Sequence, residues 1–273
     1  MSTITENKVA LTNEEFRDLK EFIYNKCGIN IVDDQRDLLE HKLSRRLKKF
    51  NLSSFSQYQA QLQTDDEELQ EMINAVTTNE TYFFREMKHF NFLKDEIIPN
   101  VKYDLFRCWS AAGSIGAEAY STAMHLDACM STWQNFEVVH SDINSDVSDD
   151  AKLGVYPMKF TKKIPKEYLK AYCMQGYDEN EGLFMLNDKI KKKMKFLLIN
   201  LTAPLPSHEL GEFDVVFLRN MIIYFDDRNK KIIVENVIKR LKPGGYLFMG
   251  HSESLYNITD KVKQIKPSIY RKV

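Results

Sequence analysis

The sequence lacks any apolar run that could cross a bilayer. Val215–Leu218 and Met221–Phe225, among its longest, fall far short of the roughly 20 residues a spanning helix needs. The first residues, Met1-Ser-Thr-Ile-Thr-Glu, have neither the basic start nor the apolar stretch of a secretory signal. Cysteine is scarce: Cys27, Cys108, Cys129 and Cys173 form no C-x-x-C pair. Cys108 and Cys129 lie in apolar surroundings and read as small core residues rather than disulfide partners. A cytoplasmic protein without a metal site is therefore expected. Net charge is also nearly absent, −1 over 273 residues, so no global field draws the chain to nucleic acid or a membrane. Electrostatic recognition must come from a local patch. What remains is an ordinary globular composition, 43% hydrophobic and 28% charged, without internal repeats or low-complexity tracts.

The first ~75 residues have helical periodicity throughout. Thr12 with Glu15 makes a capping box, Leu11 and Phe16 a hydrophobic staple, and Phe16, Leu19, Ile23 and Cys27 recur on one face until Gly28 stops the helix. Further helices are expected over Asp34–Phe50, Ser54–Gln63 and Asp66–Val76. From Phe106 onward short apolar strands alternate with helices. Strands are expected at Phe106–Ala111, Phe136–Ser141, Phe196–Ile199, Asp214–Leu218, Gly245–Gly250 and Ser268–Lys272. The intervening helices fall at Gly116–Met130, Ser145–Leu153 and Asp227–Leu241. Such alternation requires crossover connections and hence a mostly parallel sheet. Lys166–Lys195 breaks the rhythm and reads as an insertion with a hairpin or two of its own, either a surface excursion or a recognition module.

Open α/β sheets bind ligands at the carboxyl ends of their strands. The first strand here runs into Trp109-Ser-Ala-Ala-Gly-Ser-Ile-Gly-Ala-Glu-Ala-Tyr-Ser, a tight turn that is not a full G-x-G-x-x-G and fits a turn without ligand as well. Asp142 ends the second strand, where an acid can accept from a ribose diol, or else N-cap the next helix. Glu118 opens the first helix, placed for a cationic amino group or simply for the helix dipole. Asn79-Glu-Thr-Tyr-Phe-Phe-Arg-Glu joins the two halves. Burial of an interdomain linker accounts for Phe83 and Phe84 but less well for Asn79, Thr81 and Arg85. Arg219 and Asn220 follow the strand ending at Leu218, and a buried arginine there needs an acidic or ligand partner. His140 and His251 read as structural.

Thr77-Thr-Asn-Glu-Thr-Tyr-Phe-Phe-Arg-Glu, the Trp109–Ser121 turn, Leu153-Gly-Val-Tyr, Arg219-Asn-Met-Ile-Ile-Tyr-Phe and Gly250-His-Ser-Glu occur in the order of the chemotaxis receptor methyltransferase (CheR) family, which the chain resembles over nearly its whole length. The resemblance implies an α/β, Rossmann-like S-adenosylmethionine-dependent methyltransferase sheet with a small all-helical N-terminal domain and a small β insertion. It divides the chain into a helical substrate-docking domain at 1–76, a linker and first helix at 77–100 that contribute to the cofactor site, and an α/β domain at 101–273 with the insertion at about 166–195. By the same resemblance Asn79, Thr81, Arg85, Glu118, Asp142, the Asn200–Leu201 pair and the Arg219–Asn220 pair line the S-adenosylmethionine site. Arg85 and Tyr224 lie nearest the methyl group as the catalytic residues, and no metal takes part. Ala117 stands where a second glutamate is common and Ala119 where proline is usual, while Glu118 is kept.

The resemblance further implies transfer of the methyl group to glutamate side chains of chemotaxis receptors, giving methyl esters and S-adenosylhomocysteine. A glutamate with a pKa of about 4.3 is already ionised at neutral pH, so no general base is needed. Placement of carboxylate, methyl carbon and sulfur in line then supplies on the order of 7–11 kcal/mol. Lys42, Arg45, Arg46 and Lys49 form a basic stripe on the second helix. By itself this reads as a solvated face, and with the resemblance as a docking surface for acidic receptor helices. The insertion is where some relatives grip a receptor C-terminal peptide. Nucleic acid is not an expected partner, since no Asn/Asp-Pro-Pro-Tyr/Phe motif occurs. Monomeric action is expected. The rival readings are a methyltransferase for nucleic acid or a small molecule, and a cofactor-binding sensor without turnover.

Overall fold

The computed structural model describes residues 9–102, 105–130 and 135–273, so the reading of the N-terminus at 1–6 lies outside the described residues. The chain divides into two units, Met1–Thr78 with Tyr224–Asp226, and Asn79–Ile223 with Asp227–Val273. Residues 79–100 fall within the second unit.

In the first unit α1 (Asn13–Cys27) begins at Thr12, whose side chain accepts from the Glu15 N–H while Glu15 reaches back to the Thr12 N–H. Gly28 ends it at φ 76°, a conformation costly for any residue with a Cβ. The expected face of Phe16, Leu19, Ile23 and Cys27 is buried. A short 3-10 turn, Asp33–Gln35, leads into α2 (Arg36–Lys49), followed by α3 (Phe55–Leu62), capped by Ser54, and α4 (Asp66–Val76), capped by Asp65. The core comprises Leu39, Leu43, Leu47, Tyr58, Leu62 and Met72. Residues 224–226 are tied to this unit: the Asn30 N–H donates to the Tyr224 carbonyl at 3.1 Å and the Tyr24 hydroxyl to Asp226 at 2.8 Å.

The second unit opens with α5 (Met87–Phe92), then β1 (Leu105–Ser110), α6 (Ala117–Cys129), β2 (Asn135–Asp142) and α7 (Ser145–Leu153). The insertion region supplies β3 (Val155–Pro157), α8 (Lys166–Tyr172), β4 (Cys173–Gln175), β5 (Leu183–Leu186) and α9 (Asp188–Lys191). After it come β6 (Met194–Leu198), α10 (Ser207–Leu210), β7 (Phe213–Leu218), α11 (Asp227–Lys239), β8 (Leu241–Met249), β9 (Val262–Lys266) and β10 (Ile269–Lys272). The main sheet has the order β6-β2-β1-β7-β8-β10-β9. Its pairs from β6 to β8 are parallel, and the β8–β10 and β10–β9 pairs are antiparallel. Strand order reverses between β1 and β7, which is the switch point where such sheets bind ligands.

The sheet explains its own burial. All of β7 is buried, as parallel pairing on both edges and packing on both faces demand. Trp109 is fully buried, stacks on Phe213 with centroids 5.3 Å apart and donates its indole N–H to Ser141 Oγ at 2.9 Å. Cys108 is fully buried and Cys129 partly so, and all four cysteines are free.

The insertion is a three-stranded antiparallel sheet, β3-β5-β4, whose first strand begins at Val155, ahead of the expected bounds. It is anchored to the junction by aromatic packing. The Phe83 ring lies 5.0 Å from Tyr156 edge-on, 5.9 Å from Phe184 and 6.4 Å from Phe160. Among the described residues no helix is long and apolar enough to cross a membrane.

Candidate active site

The turn after β1 is shaped by close approach. Gly113 donates its N–H to the Ser141 carbonyl at 2.9 Å, and a Cβ there would stand 2.2 Å from His140 Nδ1. Ser114 follows at φ 51° and Gly116 at φ 84°, two left-handed residues that bring the chain into α6. Ser114 joins three elements: its N–H donates to Asp142 Oδ2 at 2.8 Å and its hydroxyl to the Asn79 carbonyl at 2.9 Å. Tyr156, from the Leu-Gly-Val-Tyr motif, donates its hydroxyl to the Ile115 carbonyl at 2.7 Å. The insertion's first strand therefore also holds this turn.

Asp142 does not cap α7, since Asn144 does so by accepting from the Val147 N–H at 3.2 Å. Instead Asp142 is buried at the end of β2, with the Ser114 and Asn144 N–H groups on its two oxygens. Burial pushes its pKa up, and those backbone donors oppose the rise.

The junction bends around Arg85. Phe84 has φ 53° and Glu86 φ 59°, unusual for residues with bulky side chains. The Phe84 N–H is satisfied by Ser121 Oγ at 2.9 Å on α6. The Arg85 carbonyl accepts from Arg219 Nη2, while the Arg85 guanidinium stays partly exposed over the Tyr82 ring, 5.6 Å from its centroid.

Arg219 is the hub, its side chain only 2% exposed. Its Nε lies 3.2 Å from Glu86 Oε2 and its Nη1 3.3 Å from Glu118 Oε2. Glu118 also accepts from the Ser110 hydroxyl at 2.6 Å. Burial raises the pKa of Glu118, while Arg219 and the Ser110 bond pull it back. The expectation that a buried arginine here needs acidic partners holds, with two of them. Asn220 follows at φ 56°, pinned by Glu253, whose carboxylate accepts from the N–H groups of Asn220 (2.7 Å), Ile222 (2.9 Å) and Gly250 (2.8 Å).

Asn79 and Asp142 thus meet through Ser114, Arg85 and Glu118 meet at Arg219 with Asn220 next in sequence, and Thr81 lies in the segment between Asn79 and Arg85. Asn200 and the buried Leu201 follow β6. There Asn200 Oδ1 accepts from the Thr202 N–H at 3.0 Å, and the Leu201 carbonyl accepts from Asn236 at 3.0 Å. Tyr224 ends the 3-10 turn Ile222–Tyr224, its side chain partly exposed. Glu86 and Glu253 were not anticipated. Both lie inside recognised motifs, Phe-Phe-Arg-Glu and Gly-His-Ser-Glu, and an acid beside an expected buried arginine was a readable signal for Glu86.

The site fits the amino-acid end of S-adenosylmethionine. Arg219 Nη1, which faces Glu118 at 3.3 Å without forming a hydrogen bond, and Asn220 Oδ1 are buried, a donor and an acceptor suited to a carboxylate and an ammonium.

A parallel sheet with these acids and this arginine at its switch point defines an S-adenosylmethionine-dependent methyltransferase of the α/β class. Residues 79–271 match the family described as CheR methyltransferase, SAM binding domain, and residues 14–77 match CheR methyltransferase, all-alpha domain. The chain is 34% identical over 266 residues to the chemotaxis protein methyltransferase of Salmonella typhimurium, covering 96% of this chain and 91% of that protein. Identity to the Escherichia coli chemotaxis protein methyltransferase is 35% over 254 residues (92% and 88% covered), and to that of Borreliella burgdorferi 33% over 277 residues (97% and 96% covered). The chain belongs to the CheR methyltransferase family.

The basic stripe of α2 is not uniform. Lys42 Nζ donates to the carbonyls of Val76 and Thr77, each at 2.9 Å, at the end of α4. Arg46 is engaged by Glu68, whose side chain is 2% exposed, and by Glu71 at 2.8 Å. Lys49 is exposed, 3.9 Å from Glu68 and over the Phe50 ring. Arg45 is exposed, with no ion pair among the described residues.

Proposed function

We propose that the protein transfers the methyl group of S-adenosylmethionine to glutamate side chains of chemotaxis receptors in the cytoplasm, acting as a monomer and releasing S-adenosylhomocysteine. The observation that carries this reading is the Arg219 hub, which joins the strand end after β7 to the junction and to the start of α6. Family membership supplies the substrate class.

The bound sulfonium supplies an already activated methyl group. What the chain's residues do is hold and orient. Glu118, with Arg219 and Asn220, receives the amino-acid end. Asp142 receives the ribose. Asn79, Thr81, Asn200 and Leu201 contact the remainder of the cofactor. Arg85, the partly exposed cation beside this network, positions the incoming carboxylate. Tyr224 holds the cationic sulfonium through its ring or hydroxyl. No base is required, because the glutamate is ionised at neutral pH. The residues that carry α2's outward charge, Arg45 and Lys49 above all, dock acidic receptor helices. The insertion's outer strands, β3 and β4, offer backbone edges to which a receptor C-terminal peptide can add as a further strand.

The deciding experiment is transfer of radiolabelled methyl from S-adenosylmethionine to a receptor fragment. Base-labile label on glutamate is expected. Label on nucleic acid, or base-stable label, overturns the reading. Within it, Arg85→Ala and Tyr224→Phe should each lower turnover about tenfold to a hundredfold, with cofactor affinity little changed. A variant with unchanged turnover removes its residue from the mechanism.

A further inference from the structure

Glu86 and His89 are three residues apart and His251 is distant in sequence, and the fold brings one donor atom of each to within 4.8 Å of the others. His89 is the revealing member. Its side chain is 1% exposed, and its Nε2 lies 2.8 Å from Ser268 Oγ. The same hydroxyl lies 2.7 Å from the Pro267 carbonyl, and donation there leaves it to accept from Nε2–H, the tautomer that frees Nδ1 to bind a ligand. Nδ1 has no hydrogen-bond partner and faces Glu86 Oε2 at 3.4 Å. In that tautomer a cation between Nδ1 and Oε2 would satisfy both atoms. The third donor, His251 Nε2, is 3.9 Å from the same oxygen, on a side chain 52% exposed.

We infer that Glu86, His89 and His251 form a site for a divalent transition-metal ion of the zinc class, with a fourth position open to solvent. Tetrahedral coordination with bonds of about 2.0–2.2 Å sets ligand atoms roughly 3.3–3.6 Å apart. The Glu86–His89 separation of 3.4 Å already meets this, and the half-exposed His251 ring would have to draw closer, from 3.9 Å to Glu86 Oε2. Two imidazoles and a carboxylate are the donor set such ions take. The Ser268 bond to the far nitrogen of His89 is the outer support that ligating histidines ordinarily have. Arg219 Nε shares Glu86 Oε2 with the site, at 3.2 Å. The ion would tie α5 and the junction to the loop after β8, irrespective of which substrate is methylated.

The test uses full-length protein without an affinity tag, stripped of metal by a chelator and titrated with Co2+ as probe. One bound equivalent with the visible absorption of four-coordinate cobalt, displaced by Zn2+, is expected. His251→Gln, a change at an exposed position, should weaken binding at least about tenfold. His251→Cys should retain binding and add thiolate-to-cobalt charge-transfer absorption. Three results would each overturn the inference: no bound cobalt, equal affinity in wild type and His251→Gln, or nitrogen NMR showing His89 Nδ1 protonated at neutral pH.

Discussion

Arg219 Nη1 lies 3.3 Å from Glu118 Oε2, joining the residue that follows β7 to the first turn of α6. The two ends of this pair should respond differently to substitution. Glu118→Gln keeps the acceptor for the Ser110 hydroxyl and leaves Arg219 paired with Glu86, so the fold should persist. It removes the charge offered to the ammonium of the cofactor, which should weaken S-adenosylmethionine binding by about 1.5–3 kcal/mol, measured by calorimetry. Arg219→Met instead strands two buried carboxylates and should cost about 3–5 kcal/mol in denaturant unfolding. A melting loss in Glu118→Gln as large as in Arg219→Met would show that Glu118 is structural.

The same glutamate predicts a pH dependence. Burial raises its pKa in the free protein, and a cationic ligand binds its ionised form better. Affinity for S-adenosylmethionine should therefore be full above that raised pKa and fall as pH drops through it, at a higher pH than an unperturbed glutamate would give. Folding stability should carry the opposite sign for Glu118 and Asp142. A carboxylate whose folded pKa is raised contributes most below its unfolded pKa, and that contribution is lost as pH rises through the folded one. Titration of binding against pH in wild type and Glu118→Gln checks this: the variant's curve should be flatter across the window.

Gly113 is constrained by space and Ser114 by backbone. A Cβ at 113 would meet His140 Nδ1 at 2.2 Å, Cε1 at 2.5 Å and Ser110 Oγ at 2.9 Å, and His140 is fully buried with nowhere to move. Gly113→Ala should cost about 1–3 kcal/mol of stability and displace the turn that carries Ser114 to Asp142. Ser114→Gly relieves the positive φ but deletes the bond to the Asn79 carbonyl, so its stability change should be small while cofactor binding weakens. Unfolding curves and binding isotherms on the two variants separate the effects.

How far these features could be read beforehand depended on whether their partners were near in sequence. The helix Asp66–Val76 was legible to the residue, because Asp65, an acidic first turn and a regular apolar face are local signals. The parallel strands other than β8 were legible to within two residues from continuous apolar runs. Strand β9 was not, because it is an outer antiparallel strand exposed at every residue except Val262, and its pattern resembles a loop. The start of β8 was hidden by Pro243, Gly244 and Gly245, which bulge out between the Phe213–Leu241 and Val215–Tyr246 pairings. In the site, the motifs carried Arg219 and Glu118 but not their pairing. Nor could the motifs reveal that Asp142 accepts from Ser114 rather than capping a helix, since that bond joins distant segments.

The docking stripe on α2 makes the last prediction, because its charges are not equivalent. Periodicity placed Lys42, Arg45, Arg46 and Lys49 together, but Arg46 holds the buried Glu68, which also accepts from the Tyr58 hydroxyl at 2.7 Å. Reversing Arg46 would put a negative charge beside that carboxylate and break the α2–α4 contact, costing about 3–5 kcal/mol. Any binding defect in Arg46→Glu would then report unfolding as much as docking. Arg45 is exposed and has no such internal role, so Arg45→Glu should leave the melting temperature within about a degree or two of wild type. If receptor helices dock here, Arg45→Glu should weaken their binding about threefold to tenfold at low salt and reduce the steepness of its salt dependence. Lys49→Glu should act in the same direction. Wild-type affinity for a receptor fragment in Arg45→Glu, across a salt series, would leave the stripe as a solvated face and the choice of substrate to other surfaces.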